Sequence, residues 1–544
     1  MTLLVTAGPP TSNGDLHIGH MAGPYIAGDI FARFMTMNGH DVRYISAADD
    51  HQSYVALKAA QKQTSPGELV ELATETIVAT LGKAQVDLAL FARPARSVRY
   101  QSFIQNFLVA LYERGALVWI ERPTPWCSCC DQFRFEAHVR GRCPHCESEA
   151  DGGICEGCGY PVDGAKLLDA HCVECGNSVT ARPLLQLVFP LERYRKVLLG
   201  FVERYAVSPA VHKGLLRRIL DEPLSDVPVT ISGEWGIPVP VSIDGCEGQR
   251  ISAWFELGPH YLAVADLLCE KEPELGDWRA LWGSLPKVVQ FFGYDSAYFH
   301  GILFPALFYA FDPNLGAPRG FGVNMFYQLR KKKFSTSRNH ALWGDQFLEE
   351  YSSDLLRLYV SFTRPEAEQT NFDEDEYEKF ALEQIAAWSA FCGLRAPITV
   401  PVAEAIGPGH ERFEREVNRL AARVTDALNL DSFSPARAAQ ALCSIVEEGN
   451  RFLKEFEGGR GTAAGEAEWL TAVNFQLRAT RLFALLCAPM LPAFAESLWR
   501  ALGGEGAVHA QPWETAMRPI RAGTQMPGTT EQFLRFRRQP MSSI

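Results

Sequence analysis

The stretch LLVTAGPPTSNGDLHIGH at residues 3–20 decides the fold that this sequence predicts. Leu3 to Thr6 is a short apolar strand, and a loop rich in glycine and proline follows it over residues 8–14. A helical pattern then runs from about Ile18 to Asn38, and a second apolar strand follows over Val42 to Ala47. This strand–helix–strand order predicts an α/β fold built on a doubly wound parallel sheet.

Length and composition indicate a multi-domain globular protein. The 544 residues are too many for one compact core, so three or four domains are expected. The sequence has no apolar run of about eighteen residues and no signal-peptide pattern, so we expect a cytoplasmic protein without a membrane span. The net charge of −12 argues against a protein that coats nucleic acid without sequence preference, but it leaves room for a local basic track.

Four Cys-x-x-Cys pairs occur within about fifty residues and supply eight thiolates, enough for two tetrahedral zinc sites. The pairs are Cys127/Cys130, Cys143/Cys146, Cys155/Cys158 and Cys172/Cys175. Only eight residues separate the second pair from the third, which favours one metal there, and the outer two pairs would hold a second metal. Buried cysteines without metal are the alternative, and Cys129, next to a ligand, is expected to be either a spectator or an alternate ligand.

His17 and His20 lie three residues apart where the loop enters the helix. The backbone N–H groups of such a loop and helix start can approach phosphate, and imidazoles can donate to its oxygens. Two surface histidines are the plainer alternative. We nevertheless predict a nucleoside triphosphate site, because this turn lies at the carboxyl edge of the sheet, where such folds bind nucleotides.

The chain resembles the class I aminoacyl-tRNA synthetases, and most specifically methionyl-tRNA synthetase, over roughly residues 1–512. The resemblance is carried by residues 13–20, Asp49-Asp50-His51, the cysteine pairs, Trp254 with Tyr261, and Tyr298-Phe299-His300. It implies a Rossmann-like doubly wound sheet split by a zinc-knuckle connective insertion, followed by an all-α helical bundle. It also implies ATP-dependent activation of an amino acid, methionine in this family, then transfer to tRNA, with Mg²⁺ as the usual ion.

The resemblance implies roles for individual residues. The ATP site would comprise Asn13, Gly14, His17, Gly19, His20, Asp295, Lys333, Ser335 and Ser337. Among these, His17, His20 and Lys333 would be catalytic, because they would stabilise the phosphates. The amino acid site would comprise Gly8, Pro10, Asp49, Trp254, Tyr261, Ser296 and His300, with Asp49 orienting the ammonium group. Either Pro10 or Thr11 replaces a tyrosine of the family.

Three expected cations are missing from the phosphate site. Thr336 replaces a lysine in the second signature Lys333-Phe334-Ser335-Thr336-Ser337, Ile231 replaces an arginine, and Tyr294 replaces a lysine. Such an electrostatic contact is worth about 3–4 kcal/mol of barrier, so an unchanged mechanism would be handicapped. Lys331 and Lys332 are close enough in sequence to compensate.

The amino acid pocket and the bundle also depart from the family. Gly8, Gly258 and Ser296 replace a leucine, a proline and an isoleucine, which predicts a different small amino acid rather than methionine. The positions that read the anticodon in the family are occupied by Trp388, Cys392, Gly458 and Gly459, and none offers the expected hydrogen bonds. Trp388 could stack on a base, but a core position is expected.

Six segments describe the expected organisation. They are 1–115 and 236–325 for the two halves of the catalytic domain, 116–235 for the insertion, 326–375 for the signature-loop region, 376–512 for the bundle and 513–544 for the tail. Helices are expected again at 186–220, strands at Ile251–Trp254 and Val288–Phe292, and a helix cap at Ser434. A monomer is the default expectation.

Three functions are compatible with these patterns. The first is a divergent paralogue that makes an aminoacyl adenylate and transfers the amino acid to tRNA. The second is a housekeeping methionyl-tRNA synthetase whose sequence has drifted, and the third is a non-catalytic protein that binds tRNA, an amino acid or a partner. The missing cations favour the third function, whereas the intact His17 to His20 motif and Asp49 count against it.

Overall fold

The structure is a computed structural model that describes residues 2–205, 208–283, 287–333, 341–393, 398–399, 404–512 and 525–526. Its α-helices span Ile18–His20, Ile26–Met37, Ser53–Lys62, Pro66–Lys83, Val98–Glu113, Arg195–Arg204, Ala210–Asp221, Ala253–Lys271, Trp278–Trp282, Phe304–Phe311, Gly344–Glu350, Ser353–Phe362, Glu374–Cys392, Pro408–Leu428, Pro435–Glu457, Ala463–Cys487 and Pro492–Ala501. Two π-helical segments, Met21–Tyr25 and Phe299–Leu303, interrupt this pattern.

A five-stranded sheet forms the centre of the first half of the chain. Its order is Gly320–Asn324, Val288–Gly293, Leu3–Ala7, Val42–Ala47 and Leu90–Ala92. The first strand is buried along its whole length, as expected for a strand covered on both faces. The pairings of Leu4 with Val288 and of Ile45 with Leu90 are both parallel, so the predicted doubly wound sheet is confirmed. The order reverses beside the first strand, and ligands bind at such switch points.

The insertion consists of short strands between the cysteine pairs. One sheet orders Val227–Pro228, Thr180–Phe189, Val118–Cys127 and Gln132–Phe133, and another orders Glu149–Gly152, Glu136–Arg142 and Leu168–Cys172. The expectation of helix over residues 186–220 is wrong for residues 186–189, because Thr180–Phe189 is a strand. A 3-10 helix follows at Leu191–Tyr194, and the α-helices Arg195–Arg204 and Ala210–Asp221 confirm the rest of the expectation. The strand Thr180–Phe189 pairs with residues 118–126, and this pairing outweighs the helical propensity of the leucines in Thr180–Phe189.

The strand expected at Ile251–Trp254 is wrong in its second half. Only Gln249–Ile251 is extended, and it pairs antiparallel with Thr230–Ser232 outside the five-stranded sheet. A helix begins at Ala253, so Trp254 lies in its first turn. The strand Val288–Gly293 confirms the other expectation. The remaining strands are Tyr327–Leu329, Lys332–Lys333, Thr370–Phe372, Ile398–Thr399 and Gln525–Met526.

Two compact units divide the chain. The first comprises Met1–Asp15, Arg43–Ala79 and Leu88–Asn324, and the second comprises Leu16–Val42, Thr80–Asp87 and Met325–Ile544. This division is coarser than the six segments expected from the sequence, whose boundaries stay a proposal. In the described part of the chain, no helix combines the length and the apolar character that crossing a bilayer requires.

Long amphipathic helices form the core of the second unit. The apolar stripe of Pro408–Leu428, from Phe413 to Leu428, is buried as its spacing predicts. The cap at Ser434 is confirmed, because its side chain accepts a hydrogen bond from the backbone N–H of Arg437 and Pro435 occupies the first helical position.

Candidate active site and metal clusters

The loop after the first strand is fastened to the segment that follows the second strand. The N–H of Asp49 donates to the carbonyl of Pro10 at 2.8 Å, and the hydroxyl of Ser12 donates to Asp50 at 2.6 Å. The N–H of Gly8 donates to the carbonyl of Phe291 at 2.8 Å, so the loop is also bonded to the strand Val288–Gly293, which is the neighbour of the first strand at the switch point. The structure therefore brings the expected amino acid residues Gly8, Pro10 and Asp49 to one edge of the sheet. Asn13 and Gly14, expected to bind ATP, are half-buried in the same loop.

The carboxyl group of Asp49 is buried and lies near other acidic side chains. Burial raises its pKa well above the ordinary value, and the nearby charges of Glu256 and Asp50 raise it further. Its side chain is 8% exposed. A cation placed beside Asp49 would relieve this repulsion, as the ammonium group of an amino acid would.

A network of buried, hydrogen-bonded polar side chains includes Glu256, whose charge acts on Asp49. Nδ1 of His51 lies 2.9 Å from the carboxylate of Glu256, and the hydroxyl of Tyr100 donates to the same carboxylate at 2.9 Å. The Tyr100 hydroxyl also lies 2.8 Å from Nδ1 of His260. Sequence reasoning missed Glu256, His260 and Tyr100. The available signal was a glutamate and a histidine four residues apart on one face of an otherwise apolar helix.

Tyr261, His300 and Ser296 form a hydrogen-bonded chain in which the direction of each proton is defined. Nδ1 of His300 faces the carbonyl oxygen of Ser296 at 3.0 Å and must donate to it, so in the neutral ring Nε2 accepts. The hydroxyl of Tyr261 therefore donates to Nε2 at 2.7 Å. Burial lowers the pKa of His300 to about 3, which keeps the ring neutral. The ring is also stacked on Phe292 at 3.8 Å.

Aromatic rings complete the apolar part of this region. Trp254 and Phe299 are stacked with a centroid distance of 4.4 Å and an interplanar angle of 3°. A Cβ atom on Gly258 would lie 2.8 Å from Leu307, with Phe304 next to it, so apolar side chains fill the space that the missing proline would leave. Gly258 therefore does not enlarge the pocket. A Cβ atom on Gly8 would make only ordinary contacts of 3.6 Å or more.

The structure describes two of the residues that stand where the family has a cationic side chain. Tyr294 occupies the expected lysine position, and burial raises its pKa while a hydrogen bond from Arg218 opposes that shift. Ile231 pairs across the strands with Arg250. Asp295, expected near the nucleotide, follows Tyr294, and desolvation raises the pKa of its carboxyl.

His17 and His20 form a reciprocal cap at the start of their helix in the second unit. The N–H of His20 donates to Nδ1 of His17 at 3.2 Å, and the N–H of His17 donates to Nδ1 of His20 at 3.3 Å. The rings stack at 3.6 Å. Because each Nδ1 accepts, the proton of each neutral ring is on Nε2, and burial lowers the pKa of His20 to about 4. Gly19 lies between them and is half-buried.

The second signature is described only at its start. Lys333 ends the strand Lys332–Lys333, which pairs antiparallel with Gln328 and Leu329. Its side chain, together with Ser335, Thr336 and Ser337, lies outside the described residues.

The cysteine pairs assemble into two separate clusters with the predicted pairing. Within each cluster the four sulfur atoms lie within 4.8 Å of one another. The sulfur separations are 3.4 Å for Cys127–Cys175, 3.8 Å for Cys130–Cys172, 3.8 Å for Cys143–Cys158 and 3.6 Å for Cys146–Cys155. Four thiolates at about 2.3 Å from a tetrahedral zinc would be about 3.8 Å apart, so both clusters fit this ion.

Each cysteine pair ends in the same turn. The residue after the second cysteine has a left-handed backbone in all four, with φ of 54° at Asp131, 58° at Glu147, 77° at Gly159 and 73° at Gly176. Two of the four are not glycine, although that conformation favours glycine. Both clusters are therefore built on one repeated turn.

Core residues occupy two of the four anticodon positions of the family, Trp388 and Cys392, whereas Gly458 and Gly459 are exposed. Trp388 is 1% exposed, packs against Phe483 and Phe494, and donates its indole N–H to Gln384 at 3.0 Å. Cys392 is equally buried. The expectation that Trp388 belongs to the core is confirmed, and neither side chain can contact a base.

Comparison with known proteins agrees with these features. The family described as tRNA synthetases class I (M) matches residues 3–389, and the anticodon-binding domain of tRNA ligase matches residues 411–539. A methionine–tRNA ligase of Thermomicrobium roseum is 30% identical over 91% of this chain and 85% of its own length. One from Aeropyrum pernix is 27% identical over 96% of this chain and 92% of its own.

A solved structure shows the same fold. The crystal structure of Mycobacterium tuberculosis methionyl-tRNA synthetase bound by methionyl-adenylate has a TM-score of 0.77 and 18% sequence identity, and the match covers 98% of this chain and 100% of that one. The comparisons favour neither a non-catalytic protein nor a drifted housekeeping enzyme. Because the family match spans residues 3–389, more than half of its length, this chain belongs to the methionyl type of the class I tRNA synthetases.

Proposed function

We propose that this chain activates an amino acid with ATP, releasing diphosphate and forming an aminoacyl adenylate, and then transfers the aminoacyl group to tRNA. The single observation that carries the proposal is the position of the buried Asp49 carboxylate beside the hydrogen-bonded Tyr261–His300 pair, in a chain of this family. The charge of Asp49 reaches Tyr261, since it adds to burial in raising the pKa of that phenol.

Asp49 is proposed to hold the ammonium group, and Tyr261, His300, Trp254 and Ser296 to surround the side chain. Pro10 and Gly8 would lie beside the substrate. The partner is an amino acid, either methionine or a different small one. The Tyr261–His300 pair supports a substrate whose side chain is uncharged, because a neutral His300 with a defined tautomer offers no charge to pair with.

ATP is the proposed nucleotide, accompanied by Mg²⁺. Neutral imidazoles at His17 and His20 would donate from Nε2 to phosphate oxygens, and Asn13, Gly14, Gly19 and Asp295 would contact the nucleotide. Lys333, Ser335 and Ser337 are proposed to contact the phosphates from the second signature. Catalysis would rest on positioning the carboxylate for in-line attack on the α-phosphate and on stabilising charge.

Two zinc ions are proposed as structural cofactors, since closed Cys₄ sites leave no position for substrate. The cytoplasm is the proposed compartment, which the free state of all fourteen cysteines supports. The monomeric state stays a prediction.

Amino-acid-dependent formation of the adenylate and of diphosphate tests this function. The zinc-loaded chain is incubated with ATP, Mg²⁺, inorganic pyrophosphatase and each amino acid in turn, and the adenylate is detected by mass spectrometry. An adenylate and phosphate from the released diphosphate that both depend on one amino acid support activation, and the absence of both products with every amino acid contradicts it. Bulk tRNA is then added, and acylated 3′ ends would support transfer, whereas their absence would refute tRNA as the acceptor.

A further inference from the structure

Glu136, in the insertion, contacts residues from two segments that contribute to the amino acid pocket. Its side chain is 7% exposed. The hydroxyl of Ser53 donates to Oε2 at 2.8 Å, and the hydroxyl of Ser252 donates to Oε1 at 3.1 Å. Ser53 begins the helix Ser53–Lys62 and follows Asp49 by four residues. Ser252 precedes Trp254 by two residues. One carboxylate therefore connects both segments.

The backbone at Glu136 is unusual for a residue with a side chain. Its φ of 47° lies in the left-handed region, and the register with the neighbouring strand shifts between Glu136 and Arg140. Such irregularities cluster at functional sites, where they direct a side chain that a regular strand would point elsewhere. The N–H of Ala137 also donates to the Ser53 hydroxyl at 3.3 Å, which adds a second contact at this point.

The insertion also touches Trp254 directly. A Cβ atom on Gly153 would lie 2.8 Å from Nε1 of the Trp254 indole, so only glycine fits there without a shift. Glu136, Gly153, Ser252 and Trp254 all line one cavity of about 140 Å³. That space lets the indole move if its contacts with the insertion are lost.

We propose that Glu136 is a positioning residue through which the zinc insertion sets the places of Asp49 and Trp254, and with them the affinity for the amino acid. This inference rests on the proposed function, because it takes Asp49 and Trp254 to be in contact with that substrate. A carboxylate with two hydroxyl donors on separate segments holds both at a set distance, whereas alanine would release both and glutamine would keep part of the arrangement.

Kinetics of diphosphate exchange into ATP provide the first test. In Glu136→Ala the KM for the amino acid is expected to rise about tenfold, in line with the loss of hydrogen bonds to a charged group. The rise in Glu136→Gln should be smaller, while the KM for ATP and the zinc content stay unchanged in both. Glu149→Gln is the matched control, since Glu149 lies on the neighbouring strand with a side chain that is 49% exposed.

Hydrogen exchange of the substrate-free protein provides a second test that needs no activity. Peptides covering residues 49–54 and 251–258 are expected to exchange about tenfold faster in Glu136→Ala than in wild type, and unchanged in Glu149→Gln. Ser252→Ala removes one hydroxyl only, so it keeps the test open if Glu136→Ala does not fold, and it should accelerate exchange mainly in the second peptide.

Two results would overturn the inference. One is unchanged exchange in both peptides together with an unchanged KM for the amino acid. The other is a parallel loss of zinc, ATP affinity and global stability, which would make Glu136 a general structural residue. If wild type activates no amino acid, the proposed function fails, and hydrogen exchange alone still decides whether Glu136 positions the two segments.

Discussion

Tyr261 donates its hydroxyl proton to Nε2 of His300 across 2.7 Å, in a region where both side chains are buried. Tyr261→Phe would leave Nε2 without a donor, and an unsatisfied buried polar atom costs about 1–3 kcal/mol. We expect the KM for the amino acid to rise about tenfold or more in steady-state exchange assays, with the KM for ATP unchanged. Tyr309→Phe is the control, because Tyr309 makes ring contacts outside this pair. Equal effects of the two variants would contradict the assignment.

The ionised carboxylate of Asp49 is expected to lower the stability of the folded protein while it contributes to binding of the amino acid. Its pKa is raised on folding, so the stability that its protonated form contributes is present at low pH and is lost as the pH rises through the raised pKa. Each unit of such a shift is worth about 1.4 kcal/mol. Asp49→Asn should therefore gain thermal stability relative to wild type as the pH increases, while amino acid binding falls sharply. Calorimetry of both proteins at several pH values checks this, with exposed Asp431→Asn as the control; a variant less stable at high pH would refute it.

The charge of Glu256 is expected to set the pH range over which amino acid binding weakens. Besides burial, the charge of Glu256 raises the pKa of Asp49, so binding of the ammonium group should weaken as the pH falls through that raised pKa. Glu256→Gln removes this charge and should shift the weakening to lower pH. The measurement is the amino acid KM over a pH series. A shift in the opposite direction would mean that another group controls binding.

Two metal ions per chain are expected from elemental analysis. Cys146→Ser should reduce the content to about one zinc, because a tetrahedral site that loses a thiolate binds far more weakly. Cys129→Ser should leave two, since that exposed cysteine belongs to neither cluster. One zinc in wild type would show that one cluster does not hold the ion.

The turn at Glu147 offers a gain in stability. Glycine tolerates its left-handed backbone at φ 58° better than glutamate by about 1 kcal/mol. Glu147→Gly should therefore slow zinc removal by a chelator, measured with a colorimetric zinc indicator. Gly176→Ala, at the equivalent turn of the other cluster, should accelerate it. Unchanged rates in both would mean that turn strain does not influence metal retention.

Arg357 and Asp29 form a fully buried ion pair at 2.5 Å in the second unit. Arg357 also donates to the backbone carbonyls of Ala84, Pro489 and Met490. Removing one partner of a buried pair costs about 3–5 kcal/mol. Because Arg33 also lies 2.9 Å from Asp29, Arg357→Met should lower the free energy of unfolding by about 3 kcal/mol, the lower end of that range. Arg419→Met, from an exposed pair with Glu416, should change it by less than about 1 kcal/mol in denaturant titration. Similar losses in both variants would contradict this ranking.

The sheet and the metal clusters were predictable because their signals are local. The spacing of the cysteine pairs led to the observed pairing, and the apolar runs at residues 3–6 and 288–292 indicated strands. The expectation of helix is wrong for residues 186–189, because the strand that contains them depends on a partner strand about sixty residues earlier in the chain.

The polar network of the candidate site could not be predicted in the same way. Glu256, His51 and Tyr100 come from three separate segments, and only the fold brings them together. Gly258 shows the complementary limit, since the sequence records a lost side chain but not that Leu307 fills its place.

Amino-acid-dependent exchange of labelled diphosphate into ATP tests the central claim most directly, because it reports formation of the adenylate without requiring tRNA. The account predicts exchange with one amino acid or a narrow set in wild type, and at least about a hundredfold less in Asp49→Asn. Exchange that is absent with every amino acid, or equal in wild type and Asp49→Asn, would contradict it.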